Sequence, residues 1–308
     1  MLLGEHISSK QRYRQHDTKR IGLMSSHPPA VDAVSGTPRI VHISDLHGYL
    51  TDARSALTTI GKTDQYPPLV TSDNDGRLHW AGNEYVLIVN GDVVDRGPAS
   101  KECLQLVWRL QREAPPGRVR YHLGNHKLAI LLPTFVHWPR AYSTTLDTDE
   151  QRAFLTRVAE GDVTVAYEGY EYTYSHAGRN KAFQAADVNA QAKAAASELL
   201  AEGFSQATQK RIASHHATVC QLGRNGGRGA DAGLCWMDFA HLEPSAPPQI
   251  VGHSKRLKPV RKGNVVCGNV IRANNGTPGG EGVLIEEPTG LTAIRRSPDG
   301  GVRVTHNV

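Results

Sequence analysis

The sequence predicts a mixed α/β fold with a largely parallel sheet at its centre. Three short runs carry that reading: Arg39 to Ser44, Tyr85 to Asn90 and Val119 to Leu123. All are rich in Val, Ile, Leu or Tyr, the residues that suit a pleated, buried strand. Each stops at a polar turn, Asp45-Leu46-His47-Gly48, Gly91-Asp92 or Gly124-Asn125-His126. Strand, polar loop and helical pattern therefore recur three times, the signature of strands joined by crossover helices. Sites in such sheets form at the carboxyl ends of strands, and the unusual polar residues of this chain stand there.

Taken in order, residues 1–37 read as a tail. They are polar, with Ser25, Ser26, Pro28, Pro29 and Ser35, and show no sustained periodicity, so they offer little apolar surface to offset ordering entropy. A single domain is expected over residues 38–308. The first strand begins after Pro38 and is followed by a helix over about Asp52 to Lys62; a second helix begins near Ala99. Residues 134–160 read as a helical insertion. Glu168-Gly169-Tyr170-Glu171 reads as a tight turn between two strands, and the Ala-rich stretch from Lys181 to Glu202 as a helix. Gly223 to Gly229 is a glycine-rich loop. Short β-prone runs at Gln249–Val251, Val265–Asn269, Gly282–Ile285 and Leu291–Arg295 close the chain.

Composition narrows the function classes. The 308 residues carry a formal charge of +5. Part of that excess lies in the tail, at Lys10, Arg12, Arg14, Lys19 and Arg20. No long Lys/Arg block and no aromatic-studded basic strand is present, so specific nucleic-acid binding is not expected. Cys103, Cys220, Cys235 and Cys267 form no C-x-x-C pair, which argues against a zinc ribbon and suits a reducing, cytoplasmic setting. Glu5, His6 and Lys10 stand where a signal peptide would need an apolar core, and the run from Leu128 to Val136 is broken by Pro133, so no membrane partner is expected.

Five segments concentrate metal-binding side chains at strand ends. They are Asp45-Leu46-His47-Gly48, Gly91-Asp92-Val93-Val94-Asp95-Arg96-Gly97, Gly124-Asn125-His126, Ser175-His176-Ala177-Gly178 and Val251-Gly252-His253-Ser254. Asp45 and His47 are two apart and point the same way on an extended segment. A carboxylate beside an imidazole suits a borderline metal such as Mn, Fe or Zn. Asp92 could bridge two ions with its two oxygens, and Asn125 offers a neutral carbonyl. A D-x-H or a lone histidine is common in a chain with 15 histidines. The segment from Gly91 to Gly97 is far more specific. A purely structural use of the whole set would bring unpaired charges together at strand ends, which is costly without a cation.

In this order the five segments resemble the calcineurin-like metallophosphoesterases. Gly48 after His47, the Arg96-Gly97 extension and Leu234-Cys235-Trp236-Met237-Asp238 resemble the serine/threonine phosphoprotein phosphatase branch, and Ser175-His176-Ala177-Gly178 its bacterial members. The resemblance covers about residues 39–255 and implies a four-layer α/β/β/α sandwich. It further implies two divalent metal ions, Mn2+ foremost and Fe or Zn as alternatives. Asp45, His47 and Asp92 would hold one ion, and Asp92, Asn125, His176 and His253 the other. By the same resemblance Arg96 would clamp phosphate oxygens, His126 would protonate the leaving alkoxide and Asp95 would orient His126. A hydroxide bridging the ions would attack phosphorus in line, with no covalent intermediate on the protein.

The chain departs from the branch at Lys127, where the pattern has Glu after G-N-H. A second phosphate-binding arginine has no clear match, with Arg179, Arg224 and Arg228 as candidates, and no tyrosine loop is evident beyond Cys267. The expected substrate is a phosphorylated protein or a small phosphate monoester. A nucleotide or diadenosine polyphosphate hydrolase is the alternative on the same scaffold, and a non-catalytic metal-binding scaffold a further one. Retention of Arg96 and His126 argues against the last.

Overall fold

The computed structural model describes residues 32–136, 138–139 and 141–308. A seven-stranded sheet forms one half of the core. Its parallel part is β1 (Arg39–Ile43), β4 (Tyr85–Val89), β5 (Val119–His122) and β6 (Val163–Thr164). Three antiparallel strands extend it beyond β1: β12 (Gly282–Glu287), β13 (Gly290–Arg296) and β14 (Val302–His306). A second sheet has the order β10 (Val260–Lys262), β11 (Val265–Cys267), β9 (Gln249–Val251), β8 (Thr173–Ser175) and β7 (Ala166–Glu168). A small hairpin, β2 (Val70–Ser72) with β3 (Leu78–Trp80), stands apart.

The period-two alternation of strand side chains decides the layering. Ile40, Val86 and Ile88 point between the sheets and meet Tyr167, Tyr174, Ile250 and Val266 of the second sheet. Val41, Ile43, Leu87 and Val89 point the other way. They join a larger core with Ala53, Ala56 and Leu57 of α1 (Leu50–Leu57) and Cys103, Leu106 and Leu110 of α2 (Ser100–Glu113). The outer face of the second sheet is covered in turn, with α5 (Ala185–Glu202) packed on β7. Helix, sheet, sheet and helix follow one another, the four-layer arrangement expected.

Several boundaries differ from the sequence reading. The first helix stops at Leu57, short of Lys62. The Thr58 and Thr59 hydroxyls bond back to the carbonyls of Arg54, Ser55 and Ala56, which competes with helix continuation. Most of the expected tail lies outside the described residues, but Asp32 to Val34 already pair with Glu168 of β7: Val34 N–H donates to Glu168 O, and Glu168 N–H to Asp32 O, each at 2.8 Å. The chain thus engages the second sheet before Pro38. Residues 134–160 hold a 3-10 turn at Tyr142–Thr145 and a helix, α4 (Thr148–Glu160), started by a reciprocal cap between Asp147 and Glu150. After α5 come α6 (Gln206–His215) and α7 (Ala217–Cys220), while α3 (Asn125–Leu131) follows β5 and α8 (Ile271–Asn274) follows β11. Among the described residues no helix is long and apolar enough to cross a membrane.

Candidate metal centre

All the sequence-predicted site residues meet at the carboxyl ends of the strands of both sheets. Asp45 and His47 follow β1, and Asp92, Asp95 and Arg96 follow β4. Asn125 and His126 open α3, His176 follows β8, and His253 follows β9. The backbone turns sharply to present them. Asp45, His47, Asp92, Asp95, Arg96 and His253 all have φ between 43° and 74°, a region non-glycine residues rarely occupy. Among the described residues, Asn225 and Asn307 are the other non-glycine cases, and asparagine tolerates that region. Each such residue costs on the order of 1–3 kcal/mol, and clusters of them mark functional sites. The two principal loops hold each other in place. His47 N–H donates to Asp92 O at 2.9 Å, Gly48 N–H to Val93 O at 3.0 Å, and Gly97 N–H to His47 O at 2.6 Å.

The donor atoms converge around Asp92. Its Oδ2 lies 3.4 Å from His176 Nε2, 3.7 Å from His47 Nε2 and 3.9 Å from His126 Nε2. His47 Nε2 also lies 3.6 Å from Asp45 Oδ1. On the other side Asn125 Oδ1 is 3.2 Å from His176 Nε2 and 3.1 Å from His253 Nδ1. The far nitrogens of two rings are engaged: His47 Nδ1 donates to Val94 O at 3.0 Å and His176 Nδ1 to Asn90 O at 2.9 Å. Those bonds hold Nδ1 and aim Nε2 of each ring inward, the orientation a metal-binding histidine needs.

Electrostatics fit a cation. Burial pushes the Asp45 carboxyl up to about 6, with Asp92 adding to the rise and His176 opposing it. Burial opposes charge on Asp92 as well, yet His176 and His126 hold it well below the carboxylate range. Burial lowers His47 to about 4 and holds His253 well below the usual imidazole range, so both rings are neutral. Burial also resists protonation of His176, but the Asp92 and Asp45 charges carry it up to about 9. Two buried carboxylates thus draw a proton onto a buried ring, a charge that a divalent cation would supply instead. Asp45 Oδ1 is buried with no hydrogen-bond partner. Glycines leave no spare room at these turns. A Cβ on Gly91 would lie 2.3 Å from His176 Nδ1, and one on Gly252 would lie 2.4 Å from Asp45 Oδ2. The donor set and its charge therefore fit divalent metal ions.

His126 stands beside this cluster. Its Nδ1 donates to Asp95 Oδ2 at 2.5 Å, its backbone N–H to Asp92 Oδ1 at 3.0 Å, and Arg96 Nη2 reaches its Nε2 at 3.4 Å. Asp95 is taken by His126 and by the Tyr142 N–H, and forms no pair with Arg96. Lys127 turns away from the donors. It is fully buried, with Nζ 4.8 Å from the Tyr142 ring centre and 4.9 Å from that of Phe154. Burial pushes it down to about 7 against the pull of Asp95 and Asp92.

The three arginine candidates separate. Arg179 donates to Thr218 Oγ1, and Arg224 is an exposed side chain facing Asp231. Arg228 is held by Asp238 at 2.6 Å, and its charge reaches His253. Asn90 was missed from the sequence. Its side chain donates to His42 Nε2 at 3.1 Å and Ser175 O at 2.9 Å and accepts from His122 Nδ1 at 2.9 Å, pinning both sheets beneath His176. A polar residue closing a wholly apolar strand was the available signal.

A carboxylate at the centre of converging imidazoles, with an imidazole–carboxylate pair and a guanidinium at its edge, suits divalent metal ions beside an anionic group. The calcineurin-like phosphoesterase profile matches residues 38–253, and the chain belongs to that family. Among curated proteins, Shewanella-like protein phosphatase 2 of Arabidopsis thaliana is 34% identical over 92 residues, 29% of this chain and 21% of that protein. Shewanella-like protein phosphatase 1 of Plasmodium berghei (strain Anka) is 30% identical over 107 residues, 34% of this chain and 26% of that protein. The chain thus matches about a fifth to a quarter of those relatives' length. Among solved structures, a cold-active protein tyrosine phosphatase superposes with a TM-score of 0.60 at 17% identity. The superposition covers 91% of this chain and 82% of that one, and shows a shared fold.

Proposed function

We propose that the chain hydrolyses phosphate monoesters on proteins, as a serine/threonine phosphoprotein phosphatase with two divalent ions, Mn2+ foremost. The observation that carries the reading is Asp92, with one carboxylate facing histidines of both ligand sets. In this reading Asp45, His47 and Asp92 hold one ion, and Asp92, Asn125, His176 and His253 the other. When bound, such ions neutralise phosphoryl charge and lower the pKa of water to near 7. Arg96, exposed at the mouth of the site, grips two phosphoryl oxygens through its planar fork. The Asp95 carboxylate accepts the Nδ1 proton of His126 and supports the ring as an imidazolium, whose second proton, on Nε2, faces the leaving oxygen. As water attacks phosphorus and forms the new P–O bond, the ester P–O bond breaks, the Nε2 proton passes to the leaving oxygen and His126 is left neutral. The relatives in Arabidopsis thaliana and Plasmodium berghei are named as protein phosphatases, which supports a phosphoprotein substrate.

The test is a substrate panel on chelator-treated protein with and without Mn2+: a nitrophenyl phosphate, phosphoserine, phosphothreonine and phosphotyrosine peptides, and diadenosine tetraphosphate. The expected result is metal-dependent release of phosphate from phosphoserine or phosphothreonine peptides. Turnover of the dinucleotide alone would favour the polyphosphate hydrolase instead. Full activity in metal-free protein would refute the metal reading.

A further inference from the structure

The segment between α3 and α4 meets His126 at one ring face and meets its carboxylate partner Asp95. Trp138 stacks on the His126 ring, with centroids 4.6 Å apart and planes 22° apart. Four residues on, the Tyr142 N–H donates to Asp95 Oδ1, while Asp95 Oδ2 accepts from His126. The His47 ring meets His126 edge-on, with centroids 4.9 Å apart. Trp138 is itself backed by Trp236, 5.8 Å away, whose side chain is buried. A hydrogen bond at Nδ1 alone fixes one point of the imidazole and leaves the ring free to rotate about it. A flat indole against one face removes that freedom.

We infer that Trp138 is a positioning residue for proton transfer: it fixes the plane of His126 so that Nε2 meets the leaving oxygen. The inference rests on the reading of His126 as proton donor given above. The contacts of the indole are with the rings of His126 and Trp236, so its removal should spare metal binding and substrate affinity. It loosens a ring whose alignment sets the rate. Misplacement of a reacting group by about 1 Å can cost ~10²-fold, and loss of a general acid altogether ~10²–10⁴-fold. Trp138→Ala falls between full alignment and full loss.

The experiment compares full-length wild type, Trp138→Ala, Trp138→Phe, His126→Ala and the double variant His126→Ala/Trp138→Ala, each loaded with Mn2+ and checked for metal content. Substrates are aryl phosphates with leaving groups from nitrophenol to phenol, and a phosphoserine peptide. Trp138→Ala should lower kcat ~10-fold or more on the peptide, with KM little changed. The loss should shrink toward nitrophenol, which leaves without a proton. Trp138→Phe should recover most of the rate, and Trp138→Ala should add nothing in the His126→Ala background. A rise in KM confined to aryl phosphates would make Trp138 a binding wall and overturn the inference, as would additive losses in the double variant. Equal losses across all leaving groups in His126→Ala would instead remove His126 as the proton donor, and the inference with it.

Discussion

Gly124→Ala isolates the fit of the metal site from backbone strain. Gly124 has φ −106° and ψ 174°, a conformation open to any residue, so alanine pays no conformational penalty there. The methyl itself has no room: a Cβ at Gly124 would lie 2.1 Å from Asp92 Oδ1, 2.5 Å from Asp92 N and 2.8 Å from Asp92 Cγ. Ordinary contact needs about 3.5 Å, so Oδ1 must retreat by roughly 1.4 Å and the Asp92 backbone nitrogen by roughly 1 Å. The carboxylate cannot do so freely, because Oδ1 accepts the His126 N–H at 3.0 Å and Oδ2 faces His176 at 3.4 Å. Metal–oxygen bonds near 2.1 Å tolerate only about 0.2 Å of error. The displacement exceeds that tolerance several-fold.

Gly124→Ala should therefore weaken Mn2+ binding by ~10–100-fold, the scale for disturbed ligand support. It should lower kcat/KM by ~10² or more and cost about 1–3 kcal/mol of stability from overpacking. Calorimetric Mn2+ titration, steady-state turnover and urea unfolding read the three effects. Gly203→Ala is the control. Gly203 has φ +81° and ψ −173°, a region essentially confined to glycine, with nothing within 4 Å of its would-be Cβ, so alanine there costs about 1–3 kcal/mol of strain and no clash. It should lose stability and keep full activity. Wild-type metal affinity and turnover in Gly124→Ala would show that Asp92 is not confined, and the account of a rigid central carboxylate would fall.

Four further outcomes follow from the same geometry. Asp92→Asn should reduce turnover more than His253→Ala, because Asp92 faces histidines of both ligand sets; near wild-type kcat in Asp92→Asn would refute a bridging role. Arg96→Lys should weaken inhibition by inorganic phosphate and Arg96→Ala should weaken it further; equal inhibition constants at matched metal content would make Arg96 structural. Asn90→Leu should cost roughly 3 kcal/mol or more in urea unfolding, since it strands the buried His42, His122 and Ser175 partners; a loss below about 1 kcal/mol would refute the pin. Burial pushes His42 and His122 from 6.5 down to about 3. The unfolded chain therefore binds more protons between those values, and stability should fall as pH drops from about 6.5 toward 3. Each histidine contributes up to roughly 1.4 kcal/mol per pH unit. His122→Gln should flatten that slope in urea midpoints between pH 7 and 4, and an unchanged slope would show that His122 is not buried neutral.

The parts legible in the sequence share one property: their signal is local. A run such as Tyr85 to Val89 is apolar at every position because it is buried on both faces, between helices and a second sheet. The turns after such runs carry their own glycines and acids. That is why the candidate residues, spread across more than 200 positions of chain, could be grouped from the sequence: each follows a strand, and the two sheets bring those ends together. Edge elements gave no such signal. β14 alternates weakly and stays largely open to solvent, so Val302 to His306 does not stand out among the β-prone runs. Asp32 to Val34 pairs through backbone atoms alone, which leave no mark on side-chain choice.

The glycines of the site show where local reading stops. Gly91, Gly124 and Gly252 all read as turn formers, and for Gly91, at φ +84°, that is half of the reason. Gly124 needs no glycine for its backbone at all; it is glycine because Asp92 occupies the place of its side chain. Gly252 likewise yields to Asp45, more than 200 positions earlier in the chain. The same holds for Trp138, an aromatic in an unpatterned stretch whose partner is His126. In each case the residue type answers to a neighbour from another loop. The positive φ values of Asp45, His47, Asp92 and His253 add to this: bulky or charged residues persist there against local preference because the opposing loop holds them. Local propensity thus points away from the site where the site is most constrained, and only the assembled strand ends account for those residues.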